Sequence, residues 1–210
     1  MSCIEKSFFL DNCQSGDLLL YNSKNIFARI IEYFTQSKYS HVAIILKSPT
    51  NIHPSLTGTY IIESGAEQIP DVLSGKKVSG VQLIPLEYVL DCYLDNYIGS
   101  LYYRKLNCSR DIIFRKQLSE LIMKNDQKGY DLSVFDWVRA KLKLDIGNCQ
   151  NTKKYWCSAL VAYIYTELGF LEQSTPWSLI SPAQFGFGDI DELPFIDCSL
   201  EPDQKIIIIK

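Results

Sequence analysis

The run Trp156-Cys157-Ser158-Ala159-Leu160-Val161-Ala162-Tyr163-Ile164-Tyr165 decides how the rest of the chain is read. Cys157, Leu160, Val161, Ile164 and Leu168 recur at the spacing of one α-helix face. The face is apolar, so the helix is expected to lie buried against a sheet. Cys157 then falls in its first turn and Gly169 ends it. Asn151, Thr152, Lys153 and Lys154 make the approach polar. A thiol at a helix N-terminus near positive charge has a lowered pKa and a larger thiolate fraction, as a nucleophile requires. A cysteine on such a face is equally an ordinary small buried hydrophobe. The choice between these readings comes from elsewhere in the chain.

At 210 residues, 47% hydrophobic and 21% charged, the chain is expected to fold as one domain over residues 1–210 with a sizeable core. Its net charge of -3 gives no reason to expect phosphate-mediated binding to nucleic acid. Seven cysteines without a CxxC pair speak against a zinc site and against a secreted disulfide framework. No metal or cofactor is expected. No apolar run approaches the ~18 residues of a transmembrane helix, and the N-terminal residues do not read as a signal peptide. A reducing, cytoplasmic compartment is the expectation.

The chain has two histidines. If Cys157 works with an imidazole base, one of them must supply it. His53 sits among turn formers, Ser48-Pro49-Thr50-Asn51-Ile52-His53-Pro54-Ser55, and a loop holds a base poorly. His41 opens His41-Val42-Ala43-Ile44-Ile45-Leu46, an apolar run that reads as a strand buried on both faces. It is either a satisfied structural histidine or a general base held at a strand end. Thr59 to Ser64 forms a second strand after the 47–58 loop, and the two should pair antiparallel. The end of that strand, with Glu63, then lies beside the start of the first. Glu63 is either a solvated strand-end charge or the carboxylate that orients the imidazole.

The remaining elements follow from pattern. Residues 1–14 hold one short strand or helix, and a strand runs from Leu18 to Tyr21. A helix is expected from Ile26 to Phe34, capped by Ser23 or Asn25, with Ile26, Ile30, Tyr33 and Phe34 on one face. Val78 to Ile84 reads as a strand, and Pro85 opens a helix over Leu86 to Leu94. Tyr102 to Leu106 is a strand. A helix starts at Ser109-Arg110-Asp111 and runs to about Lys124. Tyr130 to Leu142 reads as helical around Phe135, Trp137 and Val138, followed by a loop to Lys154. Lys205 to Lys210 closes the chain as a buried strand whose edge could pair between copies, the oligomeric state being open.

Four pieces now stand in order: Gly16-Asp17-Leu18, Ser40-His41-Val42-Ala43-Ile44, Ile62-Glu63-Ser64, and Trp156-Cys157-Ser158-Ala159-Leu160-Val161. Together they resemble the circularly permuted papain-like (NlpC-like) cysteine hydrolases. These include the YaeF/YiiX-type amidases, the lecithin:retinol acyltransferase-like enzymes, and relatives in bacteria and large DNA viruses. Ser181-Pro182-Ala183-Gln184-Phe185 resembles a further segment found after the cysteine helix in such proteins. The likeness covers residues 15–64 and 155–186; between 65 and 150 it extends only to helical character. It implies an α+β fold, an antiparallel sheet packed against helices with the cysteine at a helix N-terminus.

The resemblance further implies a hydrolase of peptidase or amidase type working through Cys157, His41 and Glu63 and an acyl-enzyme. The Cys157 backbone N–H at the helix start would face the oxyanion. Tyr39, Tyr21 and Gln184 are candidate second donors, with Trp156 a candidate substrate contact, and the sequence does not choose among them. The substrate would be a peptide, an amide or a lipid ester. Tyr155, Trp156 and Trp177 are candidates to line an apolar groove for it, or else ordinary core. A lipid acyl hydrolase or acyltransferase, and a non-enzymatic peptide- or lipid-binding module, stand as alternatives. If the chain is viral, the host cytoplasm or the virion is the expected location.

Overall fold

The structure, a computed structural model, describes residues 2–24, 26–65, 70–96, 98–130, 154–188 and 193–209. Its centre is a nine-stranded sheet in the order β1-β11-β6-β2-β3-β4-β5-β8-β9. The strands are β1 (Ser2–Glu5), β2 (Leu18–Ser23), β3 (His41–Lys47), β4 (Thr59–Gly65), β5 (Gly80–Pro85), β6 (Gly99–Arg104), β8 (Gly129–Tyr130), β9 (Lys154–Tyr155) and β11 (Gln204–Ile207). A separate pair joins β7 (Leu106–Asn107) to β10 (Ser199–Leu200). The helices are α1 (Lys6–Asn12), α2 (Ile26–Thr35), α3 (Leu86–Leu90), α4 (Ile112–Asn125) and α5 (Cys157–Glu167).

The inner strands pair antiparallel, and the outermost pairs, β1 with β11 and β8 with β9, are parallel. Because side chains alternate along a strand, β2 and β3 each feed two cores. Leu18, Leu20, Val42, Ile44 and Ile62 face α4 and α5. Leu19, Tyr21, Ala43, Ile45 and Ile61 face α1 and α3. An apolar run such as Val42 to Leu46 is therefore buried on both sides, as its composition predicts.

Several expectations need correction. Residues 2–12 hold both a strand and a helix. Pro85 is the last residue of β5, and α3 gives way after Leu90 to a π-helical turn, Asp91–Asp95. Tyr130 belongs to β8 rather than to a helix; the rest of the expected 130–142 helix and most of the loop after it lie outside the described residues. Ser23 does not cap α2: it belongs to β2, and its hydroxyl pairs with Tyr93 at 2.5 Å. The other cap candidate, Asn25, lies outside the described residues. Tyr33, expected on the inner face of α2, is exposed. The terminal strand β11 is not an edge, since β1 flanks it on one side and β6 on the other. It stops at Ile207, and Ile208 and Ile209 are exposed.

Asp17 fastens this frame. It is fully buried, and its carboxylate accepts from the backbone N–H groups of Gln14 and Leu106, the Tyr103 hydroxyl and the Arg110 guanidinium. One side chain thus ties the entry of β2 to β6, to β7 and to the approach to α4. Beside it, Gly16 takes φ +94°, a backbone conformation glycine adopts at little cost, and its carbonyl accepts from the Tyr165 hydroxyl of α5 at 2.7 Å. The Gly16-Asp17 pair is a structural joint between the sheet and its helices.

Candidate active site

The β3–β4 ladder runs from Lys47 opposite Thr59 to Ile44 opposite Ile62 and then stops. β4 continues to Gly65, paired only with β5 over this last stretch. Beyond Ile44 the two strands therefore part. The N-terminus of α5 meets the sheet at this opening, packed on β3 and β4. The Ser64 hydroxyl donates to the Tyr155 carbonyl at 2.6 Å and anchors β9, which leads directly into Cys157. Ser64→Ala removes that donor, and a buried hydrogen bond contributes on the order of 1 kcal/mol. The variant is expected to melt below the wild type in a thermal scan and to keep the fold.

At the opening, His41 Nε2 lies 2.8 Å from Glu63 Oε2 and, as an N–H, donates to it. Extending the β3–β4 register sets Ala43 opposite Glu63, so His41 is its diagonal neighbour on the same face. With Nε2 engaged, Nδ1 is the ring nitrogen left for the Cys157 thiol, and the two groups act on each other's pKa. The Val42 and Ser158 backbone N–H groups also favour the charged sulfur, Val42 from the stretch where the ladder to β4 has ended. Cys157 is 5% exposed, Glu63 is fully buried, and the His41 side chain keeps 20% exposure.

The electrostatics couple Cys157 and His41. Burial alone would raise the Cys157 pKa, but the His41 charge and hydrogen bond outweigh it, and the pKa is lowered. Burial would lower that of His41, but the Cys157 thiolate and then the Glu63 carboxylate outweigh it, and the pKa lies well above the usual imidazole range. Both shifts favour a thiolate–imidazolium pair. Of the upstream lysines, read from sequence as the source of positive charge, Lys154 is exposed on β9 and is not among the groups that lower the Cys157 pKa, where His41 leads; Lys153 lies outside the described residues.

Behind the pair is a buried polar row. Tyr21 stands opposite His41 in the β2–β3 register. Its ring meets the imidazole edge-on at 4.8 Å between centroids, and its hydroxyl donates to Glu63 Oε2 at 3.5 Å. Gln82, opposite Glu63 on β5, donates through Nε2 to Glu63 Oε1 at 3.0 Å. Gln82 escaped the sequence reading. Its signal was one amide in the apolar strand Val81 to Ile84, on the side opposite Val81 and Leu83.

Comparison with known proteins adds a fold neighbour. No protein-family model and no curated protein sequence matches the chain. Among solved structures it is similar to one described as the metalloprotein yiiX of Escherichia coli O157:H7, DUF1105. The TM-score is 0.56 at 15% identity, covering 91% of this chain and 97% of that one. At that identity the likeness is one of fold: a large sheet packed against helices in a mixed α+β architecture. Among the described residues, no three or more His, Cys, Asp or Glu side chains are grouped to hold a metal ion.

The other candidates separate. The Tyr39 hydroxyl is committed to Asp203, 2.5 Å away. Burial first, then Asp203, push its pKa up, so it stays a protonated structural donor. Tyr21 sits behind the imidazole against Glu63, where it supports the histidine. Trp156 is the N-cap residue of α5, half-buried and packed against the core. Gln184 closes a capping box, its Oε1 accepting from the Ser181 N–H at 2.9 Å. That fixes the side chain and leaves Nε2 to donate. Its segment adjoins α5, since the Ser158 hydroxyl donates to the Ile180 carbonyl at 2.7 Å. Tyr155 and Trp177 do not form a groove: both are buried in a cluster with Tyr163, with ring centroids 5.3–5.7 Å apart. His53 is exposed and paired with Ser55 in its turn, as expected of a loop residue.

Proposed function

We propose that the protein is a cysteine hydrolase of permuted papain-like fold, a peptidase or amidase acting through Cys157, His41 and Glu63. The observation that carries this reading is His41 held between a buried carboxylate and a thiol at a helix N-terminus. A histidine serving structure alone needs one partner; here the carboxylate fixes one nitrogen and presents the other to sulfur.

The chemistry follows from the atoms. The Cys157 thiolate attacks the substrate carbonyl carbon, and a C–S bond forms as the carbonyl electron pair moves to oxygen. The Cys157 N–H at the start of α5 is offered to that oxyanion, since Trp156 supplies no side-chain cap. Gln184 Nε2 is the second donor this reading favours. Collapse expels the amine or alcohol, which takes its proton from the His41 imidazolium. Neutral His41 then draws a proton from water, hydroxide attacks the thioester, and the thiolate–imidazolium pair returns. Glu63 keeps the ring oriented and stabilises its positive form.

Competitive labelling with two thiol-directed acyl probes, one peptide-like and one lipid-like, tests the reading. A single acyl group on Cys157, lost in His41→Ala and in Cys157→Ala, is expected. The faster probe assigns the scissile bond: preference for the peptide-like probe supports the peptidase or amidase, and preference for the lipid-like one an acyl hydrolase. Labelling spread over the other cysteines and indifferent to His41 would overturn the proposal in favour of a binding module.

A further inference from the structure

Glu63 divides its two oxygens. Oε2 takes His41 and Tyr21; Oε1 takes the Gln82 amide. Gln82 is itself fully buried in β5. Its amide has one workable orientation, because a flip would set a carbonyl oxygen against the carboxylate. In that orientation Gln82 Oε1 has no hydrogen-bond donor among the described residues. Leaving a buried acceptor unmade is costly, and a hydrogen bond to an ionised carboxylate is roughly twice as strong as a neutral one. The pairing therefore fixes which way the Glu63 carboxyl group faces. Gly65 leaves the room for it: a Cβ there would stand 3.0 Å from Glu63 Oε1 and 3.7 Å from Gln82 Nε2.

We infer that Gln82 is a positioning residue. It holds the Glu63 carboxyl group with Oε2 turned to His41 Nε2, which in turn keeps Nδ1 toward Cys157. The inference rests on the proposed roles of Cys157 and His41 and adds a fourth residue to them. Among the described residues, the titratable groups around Glu63 are His41 on β3 and Tyr21 on β2, with Tyr93 of the π-helical turn packed behind Tyr21 and Cys157 across the imidazole.

Two substitutions of near-equal volume test it in the full-length protein, read as the saturating rate of Cys157 acylation by the acyl probe across pH. Gln82→Met removes the donor. Its rate is expected to fall about 10–100-fold, the scale on which partners behind functional side chains act, with little change in the probe concentration at half-saturation. Gln82→Glu keeps a donor only while its carboxyl is protonated; once ionised, it sets a like charge against Glu63. Its rate should match wild type at acid pH and fall below it as pH rises through the new carboxyl's pKa. Should Gln82→Met fail to fold, the pH profile of Gln82→Glu decides alone. Wild-type rates and profiles in the variants, while His41→Ala still loses acylation, would overturn the positioning role and leave the proposed chemistry standing. Loss of no activity in His41→Ala either would remove the reading on which the inference rests.

Discussion

Acylation of Cys157 at neutral pH is expected to fall about 10²–10⁴-fold in His41→Ala, the usual contribution of a positioned acid–base group. The loss has two sources. The His41 charge and hydrogen bond are what hold the thiol pKa down against burial, so without them the thiolate fraction drops. The leaving group also loses its proton donor. Because the substitution also leaves the buried Glu63 carboxylate without its imidazole partner, the variant should melt below wild type, and its labelling is read on the folded fraction. Stopped-flow labelling of both proteins under the same conditions checks the size. Glu63→Gln should fall between them, since the amide can still accept from His41 Nε2 yet carries no charge to stabilise the imidazolium. In Cys157→Ala the bond-forming atom is gone, and turnover should be absent.

The second large effect is on stability. Asp17→Ala is expected to cost about 3–5 kcal/mol, the range for breaking a buried ion pair by removing one partner. Arg110, bonded to Asp17 Oδ1 at 2.5 Å, loses its carboxylate. The Leu106 N–H and the Tyr103 hydroxyl lose their acceptor at the same time. At roughly 2–4 °C per kcal/mol for a chain of this size, the melting temperature should fall on the order of 10 °C. Asp17 aligns with Ile45, at the far end of β3 from His41. The folded fraction of Asp17→Ala should therefore keep the reactivity of Cys157. A large loss of reactivity without loss of stability would show that Asp17 acts on the site and not on the frame.

That contrast bears on what a sequence shows. Gly16-Asp17 and Ser40-His41-Val42 look alike as short motifs, yet one is a joint between layers and the other carries the proposed base. The distinction lies in what surrounds each side chain, and that is set by strands far apart in the chain. His41 and Glu63 were legible together because a local hairpin brings them to one face, and period-2 alternation says which face. Tyr21 was read as a donor to substrate; its pairing with His41 across β2 and β3 puts it behind the imidazole instead. Gln82 is reached only through β4–β5 pairing, and a single amide in an apolar strand does not announce its partner. The two-residue strands β8 and β9 carry no periodicity to detect, although β9 delivers Cys157 to the sheet. Lys154, three residues before Cys157, misled for a related reason. Nearness in sequence is not nearness in space, and the charge that matters comes from a strand more than a hundred residues earlier.

The central claim is that Cys157 and His41 form an ion pair, and the pH dependence of Cys157 alkylation in wild type and His41→Ala tests it most directly. With the thiol pKa depressed and the imidazole pKa raised, wild-type reactivity should appear well below the ordinary thiol range of about 8.5. It should persist while His41 stays protonated, above the ordinary imidazole value of about 6.5. In His41→Ala the onset should move to alkaline pH, to or beyond the ordinary thiol range, because burial then acts unopposed. A wild-type curve with an ordinary or raised thiol pKa, unchanged by the loss of His41, would contradict the account.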